Sequence, residues 1–85
     1  MAKRDKIEII RDILTVIKNN NNKIKSTPLL RQANLSTKRF KKYSNEMLKS
    51  EMVKKEKKYF KVTDKGYEFL SKYKTIVKFL DEFEL

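Results

Sequence analysis

The sequence predicts a mainly α-helical fold with a small β-hairpin (α+β), in one domain of 85 residues that ends in a long helix. Three observations lead to this prediction. Apolar residues recur at helical spacing in the first half of the chain. Strand-forming residues cluster between positions 52 and 62, and an apolar heptad pattern runs through positions 64–83.

The first half of the chain predicts three helices. Residues 4–18 form the first, because one helical face carries Ile10, Ile13, Leu14 and Ile17. Asn19–Asn22 ends it, since asparagine tolerates the left-handed conformation in place of glycine. Ile24 then lies in a short edge strand at most. Thr27 caps a second helix that begins at Pro28 and runs to about Ala33.

The second half predicts a third helix, a hairpin and a fourth helix. Leu35 fills the core at a turn, and Ser36 caps the helix 37–50. The core-facing stripe of this helix consists of Phe40, Tyr43, Met47 and Leu48. The hairpin spans 52–62 around Glu56-Lys57-Lys58, and Thr63 caps the helix 64–83.

Composition excludes several function classes. The chain has no cysteine, no histidine and one glycine. Thiol chemistry, the commonest metal ligands and general base, and a glycine-rich phosphate loop are therefore excluded. No apolar run reaches the roughly 18–20 residues of a membrane span, and no secretory signal precedes the first helix. We expect a cytoplasmic protein that is not an enzyme, with no metal, cofactor or evident small-molecule ligand.

The charge distribution indicates a polyanionic partner, with nucleic acid ahead of an acidic membrane. The net charge is +11, with 22 basic and 11 acidic side chains. Residues 1–63 carry 18 basic and 6 acidic side chains, whereas residues 64–85 carry 4 and 5. A lysine bias of the genome or a hot habitat is the alternative explanation, but such a bias does not account for this uneven distribution.

The order helix, short strand, helix, turn, helix, hairpin, helix is that of a winged helix-turn-helix. In such a fold the third helix enters the DNA major groove, and the hairpin, or wing, reaches neighbouring phosphates. The alternative for each polar residue on these two elements is a solvated surface. The predicted contacts to double-stranded DNA are Thr37, Lys38, Arg39, Lys41, Lys42, Asn45 and Lys49 of the third helix and Lys54, Lys55, Lys57 and Lys58 of the wing.

Three short motifs extend this prediction. They are Ile9-Ile10-Arg11-Asp12-Ile13-Leu14, Ala33-Asn34-Leu35-Ser36, and Val62-Thr63-Asp64-Lys65-Gly66 followed by Phe69-Leu70. With them, the stretch 7–85 resembles the small archaeal winged-helix DNA-binding proteins of the ten-kilodalton Sulfolobus type, which include chromatin-associated proteins and predicted regulators. The resemblance implies a homodimer whose last helices pair as an antiparallel coiled coil. The chain departs from the pattern in its short wing without glycine and in Asn20–Asn22.

We therefore assign residues 1–63 to a winged helix-turn-helix DNA-binding region and residues 64–85 to a C-terminal dimerisation helix. The alternative is that this last helix only covers the core of its own domain. The near-neutral charge of the last segment favours pairing, because two basic chains repel least there. The predicted dimer contacts are Ile9, Val16, Phe69, Tyr73, Ile76, Phe79, Leu80 and Phe83.

The sequence thus favours a dimeric, nucleoid-associated regulator or chromatin-organising protein. A winged-helix adaptor that binds other proteins in a larger complex is the main alternative, and it predicts one apolar groove. A magnesium-dependent nuclease is the weakest, because its carboxylates Asp81, Glu82 and Glu84 lie at the chain end without other ligands. Lys3, Arg4 and Lys6 form either an additional basic arm or a frayed terminus.

Overall fold

The computed structural model describes residues 4–83, which form four α-helices and one three-stranded antiparallel sheet. Their order is α1 (Lys6–Asn19), β1 (Ile24–Lys25), α2 (Ser26–Gln32), α3 (Thr37–Lys49), β2 (Val53–Glu56), β3 (Tyr59–Val62) and α4 (Asp64–Glu82). The predicted winged helix with a long C-terminal helix is confirmed. Across these residues, no helix combines the length and apolar composition that a bilayer-spanning segment requires. Lys3 and Glu84 lie outside the described residues.

Helix α1 is the centre of the core. The Asp5 carboxylate accepts a hydrogen bond from the Glu8 backbone N–H at 2.9 Å, and the Glu8 carboxylate accepts from the Asp5 N–H in return. This capping box starts the helix. The predicted stripe is buried and packs in one cluster with Leu29 of α2, Met47 of α3 and Phe60 of β3.

The predicted dimer contact at Ile9 is wrong. Ile9 is 0% exposed within its own domain, so a second chain has no access to it. The physical reason is that α2, α3, β3 and α4 all pack against α1, which covers more of the helix than a single stripe. Val16, seven residues further along the same side, is partly buried against the core.

Arg4 is held against the domain and is not part of a free basic arm. Its guanidinium donates to the Asp12 carboxylate at 2.7 Å and to the backbone carbonyls of Ala33 and Asn34 at 2.9 and 2.8 Å. These bonds join the start of α1 to the turn between α2 and α3. The side chain therefore ties the start of α1 to the turn that precedes α3, whose first residue lies three positions after Asn34.

The asparagine run ends α1 as expected. Asn21 and Asn22 have φ values of 60° and 56°, the left-handed region that asparagine tolerates better than most residues. Asn22 also accepts a hydrogen bond from the Val62 backbone N–H at 2.7 Å. Asn22 and Val62 lie two residues beyond the last β1–β3 pair, Ile24 and Phe60, so this side-chain bond continues the pairing and fixes the sheet against the end of α1.

Helix α2 begins earlier than the sequence predicts. Its first residue is Ser26, and Lys25 occupies the cap position without a side-chain hydrogen bond. The predicted cap Thr27 is wrong, because Thr27 lies inside the first turn. Strand β1 pairs with β3 up to Lys25, and the chain enters the helix directly from that strand. Pro28 is tolerated at the third position because N–H groups of the first turn have no intrahelical acceptor.

Helix α3 has the predicted limits. The Ser36 hydroxyl accepts a hydrogen bond from the Arg39 N–H at 3.2 Å, which caps the first turn. At the other end Glu51 adopts φ 64°, and the Met52 N–H bonds the Met47 carbonyl at 3.0 Å. This Schellman closure directs the chain from α3 straight into β2.

The wing is a hairpin with a two-residue turn, and its two faces differ in character. Strand β3 lies between β1 and β2, with Lys55 opposite Phe60 and Glu56 opposite Tyr59. Since side chains alternate between the faces of a strand, Val53, Lys55, Phe60 and Val62 share the inner face. The rings of Phe60 and Phe40 meet edge to face with their centroids 5.8 Å apart, which seats this inner face on α3.

Helix α4 starts against the sheet because its first turn contains the only glycine of the chain. The Thr63 hydroxyl accepts from the Gly66 N–H at 3.2 Å and donates to the Met52 carbonyl at 3.0 Å. A Cβ on Gly66 would lie 2.3 Å from the Met52 carbonyl oxygen and 2.7 Å from Val62 Cγ1. The helix can approach β2 and β3 this closely only without a side chain here.

We expect Gly66→Ala to destabilise the domain by about 3 kcal/mol, the cost of overpacking a site bounded by backbone. This corresponds to a fall in Tm of about 15 °C for a domain of this size. Without the contact, the same change would stabilise the helix by about 1 kcal/mol, since alanine has the higher helix propensity. Thermal unfolding checks the sign, and Ser71→Ala on the exposed side of α4 is the control. A raised Tm in Gly66→Ala would contradict this packing.

The apolar pattern of α4 is divided between two environments. Phe69 and Leu70 pack against the core. The hydroxyl of Tyr73 accepts a hydrogen bond from Arg11 Nη1 at 3.1 Å, and the guanidinium lies 5.1 Å from the ring centroid. Burial lowers the pKa of Arg11, but the hydrogen bond and charge of Asp12 outweigh it and raise the pKa overall. Beyond this point large apolar side chains are exposed: Ile76, Val77, Phe79, Leu80 and Phe83.

Candidate nucleic-acid interface

A groove lies between α2, α3 and the inner face of the wing. Its floor is apolar and consists of Leu30, Phe40, Leu48 and Phe60. Hydroxyl, amide and ammonium groups surround this floor, contributed by Ser26 and Thr27 of α2, Thr37, Lys41, Ser44 and Asn45 of α3, and Lys55 of β2. The groove therefore combines residues as far apart in the sequence as Ser26 and Phe60.

The exposed surface of α3 continues outward from this groove. Six of its predicted contacts are exposed: Thr37, Lys38, Lys41, Lys42, Asn45 and Lys49. At 100° per residue, these side chains follow one another around the helix from the groove to the face opposite Phe40. Four lysines thus lie on one continuous strip of a single helix. We call these six residues the α3 strip.

Arg39 does not belong to the α3 strip. It is half-buried and lies about 160° around the helix from Lys41, on the flank away from the groove. A helical wheel places Arg39 next to the charged row of α3, but the groove and the wing both lie on the opposite flank of the helix. Arg39 therefore lies too far around the helix to contribute to a contact at the groove.

The predicted wing lysines point in different directions. Lys55 faces α3, with its ammonium 5.2 Å from the Phe60 ring centroid. Lys54 lies on the outer face, where its ammonium is 3.1 Å from the Glu56 carboxylate. Lys57 and Lys58 form the turn at the tip, and Lys57 adopts φ 57°. The structure therefore brings one of the four wing lysines to the groove.

Ser26, Thr27 and Ser44 are the polar groove residues that the sequence did not identify. The expected cap at Thr27 placed its hydroxyl against the helix backbone, where it would be occupied. Because α2 begins at Ser26, Thr27 is exposed and available to the groove. The early start of α2 follows from the pairing of β1 with β3, and the local sequence gives no sign of that pairing.

Glu56 gives the outer face of the wing its strongest local interaction. Its carboxylate accepts hydrogen bonds from Lys54 and from Lys61, which lie 3.1 and 3.3 Å away. These hydrogen bonds and the charges of the two lysines lower the pKa of Glu56 below its ordinary value. The carboxylate is thus ionised and neutralises part of the outer face, while it leaves Lys55 free on the inner face.

A second groove runs between α1 and α4. Leu70, Tyr73 and Val77 form its apolar lining, and Arg11, Lys18, Lys74 and Lys78 surround it with positive charge. It is the apolar groove that an adaptor function predicts.

Comparison with known proteins agrees with the fold. The family model described as winged helix-turn-helix matches residues 3–81. The chain is also 35% identical, over 79 residues and 93% of its length, to a protein of Methanocaldococcus jannaschii that bears the name "Uncharacterized protein MJ0290". The matched region is 36% of that relative, so the chain spans about a third of its length. Because the family model matches nearly all of its residues and the structure has the corresponding fold, the chain belongs to the winged helix-turn-helix family.

Proposed function

We propose that this protein binds double-stranded DNA, with α3 in the major groove. The observation that carries the proposal is the α3 strip, in which four exposed lysines, Thr37 and Asn45 lie on one helix beside Lys55 of the wing. A helix with its side chains is about 10–12 Å across, and the major groove is about 12 Å wide. Charge reversal at Lys41, in the middle of this surface, tests the proposal.

The residue types favour contacts with the sugar-phosphate backbone over base reading. Lysine is a compact point charge that suits phosphate, whereas arginine reads guanine with a planar fork. The α3 strip has no arginine, because Arg39 lies on the other flank. Asn45 and Thr37 are the candidates for base edges, since asparagine can pair with adenine through two hydrogen bonds. We therefore propose weakly selective binding.

We also propose that the protein is a homodimer that pairs through the second half of α4. Ile76, Phe79 and Phe83 are 59%, 55% and 61% exposed, and Leu80 lies on the same side of the helix. Apolar side chains clustered at this density mark contact sites more often than solvated surface. Phe69 and Tyr73 of the predicted seam are half-buried at α1, so their part in the pairing is to support the interface from within the domain.

An antiparallel pair of α4 helices would hold two DNA-binding regions at a fixed separation. Such a dimer contacts two half-sites or two duplexes, as other symmetric helix-turn-helix proteins do. This arrangement suits a nucleoid-associated protein that regulates transcription or organises chromatin. A transcriptional regulator needs sequence-selective DNA binding, whereas a protein that organises chromatin does not. The lysine-rich α3 strip favours the second role.

A protein-binding adaptor is the second candidate, because the groove between α1 and α4 is apolar within and basic around its edge. An acidic amphipathic helix fits that description. The two functions are separable in experiment: substitutions in the α3 strip affect DNA binding, and Val77→Glu in the groove affects adaptor binding. The α3 strip has the larger share of exposed charge, and we therefore place DNA binding first.

A further inference from the structure

The outer face of the sheet carries a second basic surface that the proposed DNA contact does not use. Lys25, Lys54, Glu56, Tyr59 and Lys61 share this face by strand alternation and register. Lys23 and Lys57 border the same hollow beside Glu56, Tyr59 and Lys61. We call the five lysines of this set the outer-face cluster: Lys23, Lys25, Lys54, Lys57 and Lys61.

Tyr59 organises one side of this surface, and Glu56 the other. The ammonium groups of Lys23 and Lys25 lie 4.5 and 5.6 Å from the Tyr59 ring centroid, at cation–π distance. Glu56 is the only carboxylate on this face among the described strand residues, and it holds Lys54 and Lys61. Five lysines against one carboxylate leave a net charge of +4 on this small surface.

The inner and outer faces of the wing point in opposite directions. The inner face packs on Phe40 of α3 and presents Lys55 to the groove. The outer face points away from α3, so a straight duplex lying along the α3 strip leaves most of the outer-face cluster without a phosphate neighbour. Edge protection of the sheet requires charge along an edge strand. It does not account for Lys61, which belongs to the central strand β3.

We propose that the outer face of the sheet binds the sugar-phosphate backbone of a second DNA duplex, so that one domain can join two duplexes. The proposal rests on the DNA binding proposed for the α3 strip, which holds the first duplex. The partner is a duplex because the ammonium groups of Lys23 and Lys25 lie at cation–π distance from the ring of Tyr59 and compete with an unpaired base for it. Backbone phosphates require only the cations.

The test is a capture experiment with the full chain. A biotinylated random-sequence duplex is immobilised and saturated with protein, and retention of a second, fluorescent duplex is measured. Affinity for a single duplex is measured separately by fluorescence anisotropy. In the Leu80→Glu background, which is expected to be a single chain with one α3 strip, we expect Lys25→Glu/Lys61→Glu to lower capture at least about 10-fold and single-duplex affinity less than about 3-fold, because each lost phosphate contact weakens electrostatic binding.

Matched variants keep this test interpretable. Lys65→Glu/Lys72→Glu makes the same charge change on α4, at exposed lysines outside both grooves described above, and should leave capture unchanged. Lys23→Glu/Lys54→Glu is an independent outer-face pair, used if the first pair lowers Tm. Glu56→Gln removes the carboxylate and should raise capture severalfold, since Lys54 and Lys61 are then free for phosphate.

Three results would overturn the proposal. Capture that disappears in Leu80→Glu alone, with the outer face intact, would place the second duplex on the other chain of a dimer. Preferential capture of a single strand of equal length would assign the face to unpaired bases. Unchanged capture in every variant would show that the outer face of the sheet does not bind the second duplex. Failure of the α3 assignment would look different, because Lys41→Glu would then leave the single-duplex affinity unchanged.

Discussion

Lys41→Glu is expected to lower the affinity for a random-sequence duplex by about 100-fold. Lys41 is exposed, lies in the middle of the α3 strip and borders the groove shared with Lys55. The substitution removes one phosphate contact, which weakens binding to every sequence, and the new carboxylate adds repulsion from the phosphates around it. Fluorescence anisotropy at fixed low salt measures the change.

Lys74→Glu is the matched control for this prediction. Lys74 is an exposed lysine on α4, outside the α3 strip, and the substitution makes the same change in net charge. We expect the control to weaken binding less than about 3-fold, through net charge alone. Equal affinities in Lys41→Glu and Lys74→Glu would mean that binding follows overall charge, and α3 would lose its assigned role.

Leu80→Glu is expected to convert a species of two chains into a single folded chain. Leu80 is 39% exposed and lies among Ile76, Phe79 and Phe83 on the open half of α4. A carboxylate buried between two helices is costly without a partner, whereas on a free surface it is solvated. Mass in solution, by light scattering or sedimentation, measures the effect.

Ser71→Glu controls for the added charge on α4. At 100° per residue, the exposed Ser71 lies about 180° around the helix from Leu80, on the side away from it. The control should keep the mass of two chains, and both variants should keep the wild-type Tm of the domain within a few degrees. A wild-type protein with the mass of one chain, or a Leu80→Glu protein that remains paired, would contradict the dimer.

Helices and caps were predictable from sequence because their determinants are local. The stripe from Ile10 to Ile17, the Ser36 cap and the Thr63 cap are each contained within a few residues, and all three occur in the structure. The start of α2 was not predictable in this way. It depends on the pairing of Ile24 and Lys25 with residues thirty-four or more positions later.

Burial was harder to predict than helix position. Ile9 looked available because a sequence wheel shows one core-facing stripe, whereas in the structure several elements surround α1. The α4 seam shows the same effect, since Phe69 and Tyr73 have the same four-residue spacing as Ile76 and Leu80 but only the latter pair is exposed. Periodicity gives the face of a helix, and the lengths of the neighbouring elements decide how much of it is covered.

The candidate site was predictable on α3 and only partly on the wing. The row on α3 follows from a single helical period, so Lys38, Lys42 and Lys49 could be placed opposite Phe40. Assignment of Lys54 and Lys55 to opposite faces needs the strand register, which the turn at Lys57 sets. That turn has neither asparagine nor glycine, so its position had no clear sequence signal.

The most direct test of the central claim is the salt dependence of duplex binding by the unmodified chain. Electrostatic contact with phosphates releases counterions, and the logarithm of the binding constant then falls linearly with the logarithm of salt concentration. With about six phosphates contacted per dimer, we expect a slope of roughly −5 for a random-sequence duplex. A slope near zero would show that the lysines of α3 and the wing do not contact DNA.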